Sequence, residues 1–147
     1  MPSFTLVADV AAPPAVVFDV LTDHQGYARI SRLRSAELER EGDPPPNGVG
    51  AIRVLGSVGP PLREEVVTYE PNSRFAYRLL SGAPLRDHVG TVELGESARG
   101  TRVNYRIDTT PTVPIVGRLV VAIARLTVNS LLKGIARESE RRAAAAG

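Results

Sequence analysis

The stretch from Val113 to about Ala146 constrains this fold most, because it alone is long enough to cross a whole domain as one helix. Val116, Leu119, Val120, Ile123, Leu126, Leu131 and Ile135 fall near one helical stripe. The first half is apolar almost all round, and Arg137, Glu138, Glu140, Arg141 and Arg142 make the end polar. Thr112 is placed to cap the helix, and Pro114 sits in its first turn, where a missing N–H has no partner to lose. The pattern predicts that Val116 to Leu126 is gripped by the rest of the chain and that the charged end projects into solvent.

What precedes the helix reads mostly as short strands. Phe4 to Val10 is a first strand, broken by Ala11-Ala12-Pro13-Pro14. A short helix with Val16, Val17, Val20 and Leu21 as its stripe follows, then one or two helical turns over Gln25 to Ile30 carrying Tyr27. Six further strands are expected at Arg32–Arg40, Gly50–Leu55, Leu62–Tyr69, Arg74–Leu80, Arg86–Leu94 and Thr101–Thr109. Glycine, proline and asparagine turns separate most of them. Short connections make an antiparallel meander the economical topology.

The chain has 147 residues, the size of one domain (1–147), and buries roughly 70% of its unfolded surface without needing a disulfide or metal. It contains no cysteine, which excludes disulfides and thiol chemistry and fits a reducing cytoplasm. Two lone histidines argue against a metal site. No phosphate-binding or dinucleotide-binding glycine motif and no nucleophile elbow occurs, so no cofactor is expected. A net charge of +2 with interspersed signs argues against nucleic acid as the partner. The start shows no signal-peptide pattern, and the longest apolar run, Leu119–Ala124, is far short of the roughly 20 residues of a membrane span. A cytoplasmic protein is expected.

The segments AAPPAVVFDVLTDHQGYARI, REEVVTYEPNSRFAYRLL, HVGTVEL followed by GTRVNYRI, and the final long helix resemble the polyketide cyclase/dehydrase-like branch of the START/Bet v 1 (SRPBCC) superfamily. The resemblance spans essentially the whole chain. It implies an α+β helix-grip fold: a seven-stranded antiparallel sheet curved round a long C-terminal helix, with two short helices between strands one and two. It also implies a hydrophobic cavity between sheet and helix. It implies no single activity, since the superfamily includes carriers, receptors, lipid-transfer proteins and cyclases.

Period-two alternation supplies candidate lining residues. Val103, Tyr105 and Ile107 share one face, as do Phe75, Tyr77 and Leu79, and His88, Gly90, Val92 and Leu94. Two strands are ambiguous: Ile52 and Val54 or Arg53 and Leu55, and Glu64 and Val66 or Glu65 and Val67. The expected ligand-binding set is Tyr27, Val54, Phe75, Tyr77, Leu79, His88, Gly90, Val92, Tyr105, Val116, Val120 and Ile123. His88, Glu65 and Tyr77 are the candidates for proton transfer, because histidine titrates near neutral pH and a carboxylate or phenol can share the proton. Tyr27 and Arg29 are expected at a lid and His24 in a solvated or capping position. Glu64 or Glu65 with Arg53 could form a buried ion pair that orients a substrate carbonyl, with the solvated sheet face as the default expectation. The expected partner is a small hydrophobic molecule, with a homodimer through sheet edges or helix as a further expectation.

Overall fold

The breaks between the second and seventh strands become connections between antiparallel neighbours, while those at Ala11–Pro14 and after Pro111 lead into helices. The computed structural model describes residues 3–57 and 59–146. Met1, Pro2, Gly147 and Val58, which falls in the expected Gly56–Pro61 turn, lie outside the described residues. Strands β1 (Ser3–Val10), β2 (Ser35–Arg40), β3 (Ile52–Gly56), β4 (Leu62–Glu70), β5 (Arg74–Ser81), β6 (Leu85–Glu96) and β7 (Thr101–Pro111) form one sheet. Its order is β1-β7-β6-β5-β4-β3-β2, antiparallel throughout. Between β1 and β2 lie α1 (Pro14–Thr22), a 3-10 turn at His24–Gly26 and α2 (Tyr27–Ile30). Helix α3 (Gly117–Ala146) closes the chain.

Helix α1 opens on Pro14 after an extended Pro13 and buries Val17, Phe18, Val20 and Leu21. These side chains join the inner faces of β1 and β5–β7 in one apolar core. Two bulges mark the β4–β5 pairing, where Arg63 faces Ser81 but Glu64 faces Leu79, and Val66 faces Tyr77 but Thr68 faces Ala76. Such extra residues bend a strand and locally shift which side chains point inward.

Helix α3 reverses the expected burial. Its buried residues are Gly117, Val128, Leu131, Leu132, Gly134, Ile135 and Ser139, mostly in the second half. Val116, Leu119, Ile123 and Leu126 are exposed, as is Ile115 just before the helix. The second half is amphipathic: Leu131, Ile135 and Ser139 form one face, while Lys133 and Arg137 stand opposite. One clean face can seat on a core, whereas a helix half that is apolar all round needs neighbours on every side to be buried. Gly134 allows the close seating, since a Cβ there would run into the backbone oxygen of Ile30.

The charged end does not project freely either. Glu140 accepts from the Ala11 backbone N–H at 3.0 Å and pairs with Arg99 at 3.4 Å, and Arg142 lies 3.8 Å from Asp23. The helix starts at Gly117, four residues after the expected Val113, so Thr112 is not its cap and Pro114 precedes it. By length and composition alone, α3 contains a window long and apolar enough to cross a membrane, with 28% of that window buried. Its second half packs as a core helix against α1, β1 and β7.

Candidate functional site

The site is built by strand register. Arg53 of β3 lies opposite Glu64 of β4, while Ile52 lies opposite Glu65. Glu64 then faces Leu79, and Val66 faces Tyr77, so Arg53, Glu64 and Val66 share the inner face with the β5 aromatics. Next along the sheet, Tyr77 pairs with Gly90, and Gly90 with Ile107. Gly90 is needed there because a Cβ would meet the Tyr77 ring.

A polar cluster therefore sits inside an apolar shell. Arg53 is 1% exposed, and its Nε and Nη2 donate to Glu64 Oε1 at 2.9 and 2.8 Å. Arg53 Nη1 donates to the Tyr27 hydroxyl at 3.1 Å, and that hydroxyl in turn donates to the Leu21 carbonyl. The guanidinium carbon stands 4.3 Å from the Tyr77 ring centroid, 5.2 Å from Tyr27 and 5.7 Å from Phe75. A cation held between a carboxylate and three ring faces is compensated in both directions. Burial disfavours its charge, but the Glu64 carboxylate together with Tyr27, Tyr77 and Tyr105 more than offsets this, and Arg53 stays protonated.

Tyr77 and Tyr105 share a 2.7 Å hydrogen bond between their hydroxyls, and burial pushes both phenols above their ordinary range. Each stays a neutral group able to donate or accept. His88 Nδ1 lies 3.0 Å from the Thr109 hydroxyl, and its Nε2 has no protein partner among the described residues. Burial lowers the His88 pKa, partly opposed by Glu64, so the ring is neutral at neutral pH. Above this floor, helical phase turns Val120, Val121 and Ala124 toward the sheet. They are only half-buried, so the first half of α3 is not sealed onto the strands.

A model of the family described as "Polyketide cyclase / dehydrase and lipid transport" matches residues 1–145. The chain belongs to this family. A START superfamily protein from Mycobacterium smegmatis superposes with a TM-score of 0.76 at 15% identity, covering 99% of both chains. The di-domain ARO/CYC StfQ of the steffimycin biosynthetic pathway gives 0.78 at 14% identity, covering 97% of this chain and 51% of that one. Ara h 8.0201 gives 0.75 at 13% identity, covering 91% of this chain and 94% of the other. These likenesses establish the helix-grip fold. No curated protein matches the chain.

In this polyketide cyclase/dehydrase-type chain, the structure gathers Phe75, Tyr77, His88, Gly90, Val92 and Tyr105 on the inner face, with Leu79 half-buried beside them. Val120 is half-buried on the side of α3 that carries its buried residues. Four expected lining residues lie elsewhere. Val54 is on the outer sheet face, one residue out of phase with Arg53 and Leu55. Val116 and Ile123 are 48% and 55% exposed. Tyr27 is no lid: it is fully buried and anchors Arg53. Glu65 is also displaced. It faces outward and binds Arg40 at 3.0 Å and Arg78 at 2.6 Å, which removes it from any inner proton transfer.

Arg53 and Glu64 form the buried ion pair and do not lie on the solvated face expected by default, and His24 is not in a solvated or capping position. His24 is completely buried, its ring 5.6 Å from that of Tyr27 and 5.4 Å from that of Phe75. The nearby Asn47 side chain partly opposes the fall of its pKa, yet neither ring nitrogen makes a hydrogen bond of full geometry among the described residues. Thr109 was legible, since period two continues Val103, Tyr105 and Ile107 onto it.

Proposed function

We propose that the whole chain acts as one cytoplasmic domain that binds a small hydrophobic or aromatic molecule, lipid-like or polyketide-like. The ligand lies between the inner sheet face and the first half of α3. The supporting observation is the pairing of a half-open apolar roof, Val120, Val121 and Ala124, with a floor of neutral polar groups, Tyr77, Tyr105 and His88. Apolar burial supplies the affinity and the polar groups fix orientation. Native mass spectrometry against panels of fatty acids and aromatic polyketide-like compounds tests this reading. One retained ligand per chain is expected, with Tyr105→Phe weakening it by about 5- to 10-fold through one lost hydrogen bond. Folded protein that retains no member of either panel overturns it.

His88 favours a second reading, a cyclase or dehydratase using the same space. A neutral imidazole positioned through Thr109, with Nε2 unbonded, is arranged to take up a proton from an enclosed chain. His88→Gln is then expected to lower turnover by about 100-fold or more, while leaving binding of the same compound intact. Unchanged turnover excludes His88 from that role.

A further inference from the structure

The outward side of α3 is chemically unlike the rest of the surface. Leu119, Ile123, Leu126, Lys133 and Arg137 follow one helical line, opposite the buried line of Val128, Leu132, Ile135 and Ser139. Leu119, Ile123 and Leu126 are 59%, 55% and 69% exposed, and Ile115 just ahead of them is 93% exposed. A recess of about 730 Å³ runs along this line between α3 and the Arg29–Leu33 segment, with Ile30, Ile123 and Leu126 among its walls.

The unpaired charges around the stripe have one sign, since Glu138, which also lines the recess, is taken up by Arg141 and Arg142. From Thr109 to Arg137 the chain has no aspartate or glutamate, yet it carries Arg118, Arg125, Lys133 and Arg137. Over the sheet, arginines are mostly paired: Arg40 and Arg78 with Glu65, Arg63 with Glu39, Arg74 with Glu93 and Arg106 with Asp108. Beside the stripe, Arg32, Arg118, Lys133 and Arg137 have no acidic partner among the described residues, and Arg125 rests on the Phe4 ring. Apolar side chains flanked by unpaired cations suit a surface that is greasy beneath and anionic on top.

We propose that this face of α3, with the basic end of α2, docks the protein onto an anionic lipid bilayer. Ile115, Leu119, Ile123 and Leu126 enter the acyl boundary, and Lys133, Arg137 and Arg32 meet lipid phosphates. The helix lies in the interface and does not cross the membrane, because its second half stays packed in the core. A second copy of the chain suits the face poorly: two-fold pairing sets Arg118, Arg125, Lys133 and Arg137 against their own images. Docking stands independently of the ligand proposed for the inner sheet face.

The experiment is co-sedimentation of the full chain with vesicles of phosphatidylcholine alone or mixed with phosphatidylglycerol, at low and high salt. Binding is expected to the mixed vesicles, weakly to phosphatidylcholine, and to fall as salt rises. Lys133→Gln/Arg137→Gln should weaken it about 20- to 30-fold, at about fivefold per cation, and Leu119→Gln/Leu126→Gln by more than 10-fold. Both pairs are exposed, so thermal unfolding should be unchanged. Arg74→Gln/Arg106→Gln alters net charge equally on the outer sheet face and should leave binding nearly intact. Failure to bind the mixed vesicles, equal binding to both kinds, or an equal loss from the sheet-face pair overturns the proposal. So does a sedimenting dimer abolished by the leucine pair.

Discussion

Replacing Arg53 by methionine keeps a long apolar stem but leaves Glu64, 4% exposed, without its cation. Removing one member of a buried ion pair typically costs about 3–5 kcal/mol. Part of that cost has a definite pH dependence. A stranded buried carboxylate can be relieved by taking up a proton, and from the ordinary carboxylate range this costs about 3–4 kcal/mol at pH 7. The same term shrinks by about 1.4 kcal/mol for each unit the pH falls, leaving about 1 kcal/mol beside the lost packing near pH 5. Urea unfolding of Arg53→Met and wild type from pH 5 to 8 reads this directly. The expected destabilisation at pH 7 is about 3–5 kcal/mol, or a fall of roughly 6–20 °C in Tm for a chain this size. Arg53→Met/Glu64→Leu should recover most of it, since an apolar pair of similar volume needs no compensation. A pH-independent penalty, or a double variant as unstable as the two single losses added, would refute the reading of Arg53 and Glu64 as a mutually compensated buried pair.

Burial and the nearby Arg53 depress the His24 pKa well below its ordinary value, so the unfolded chain takes up that proton first. Stability should therefore fall as pH drops from about 6.5 toward the lowered native value, by up to about 1.4 kcal/mol per unit. His88 adds to this in the same direction. Urea midpoints between pH 7 and 5 should show a flatter dependence for His24→Phe; an unchanged slope removes His24 as a cause. Gly134→Ala should destabilise by at least about 1–3 kcal/mol, because its Cβ meets the unyielding Ile30 carbonyl. Gly95→Ala, with nothing within 4 Å of its Cβ, should stay within about 0.5 kcal/mol; equal losses by thermal unfolding contradict the close approach of α2 and α3. Tyr27→Phe deletes a hydroxyl bonded to both Leu21 and Arg53 and should cost about 1–3 kcal/mol in chemical denaturation, whereas a neutral effect means the hydroxyl is not structural.

The local pattern of residues was enough for the element order, the meander and the inner faces of β5, β6 and β7. Phe75-Ala76-Tyr77, Val92-Glu93-Leu94 and Val103-Asn104-Tyr105 each carry a bulky apolar residue at every second position. A one-residue slip there exposes aromatic rings, so local sequence and register agree. Composition likewise ruled out disulfides and thiol chemistry without reference to shape.

Tertiary structure decided the rest where the pattern was tied. On β3, Ile52 and Val54 compete with Arg53 and Leu55, and on β4, Glu64 and Val66 compete with Glu65 and Val67. Neither face is cleaner by hydrophobicity. The β4–β5 bulges set Glu64 and Val66 against Leu79 and Tyr77, which turned the charged pair inward and sent Val54 and Glu65 out. The same limit explains α3. Period 3.6 identified the helix but could not say which half meets the core, because that depends on where α1, α2 and the curved sheet end. The amphipathic half found a surface matching its one apolar face, and the all-round apolar half was left exposed along Leu119, Ile123 and Leu126.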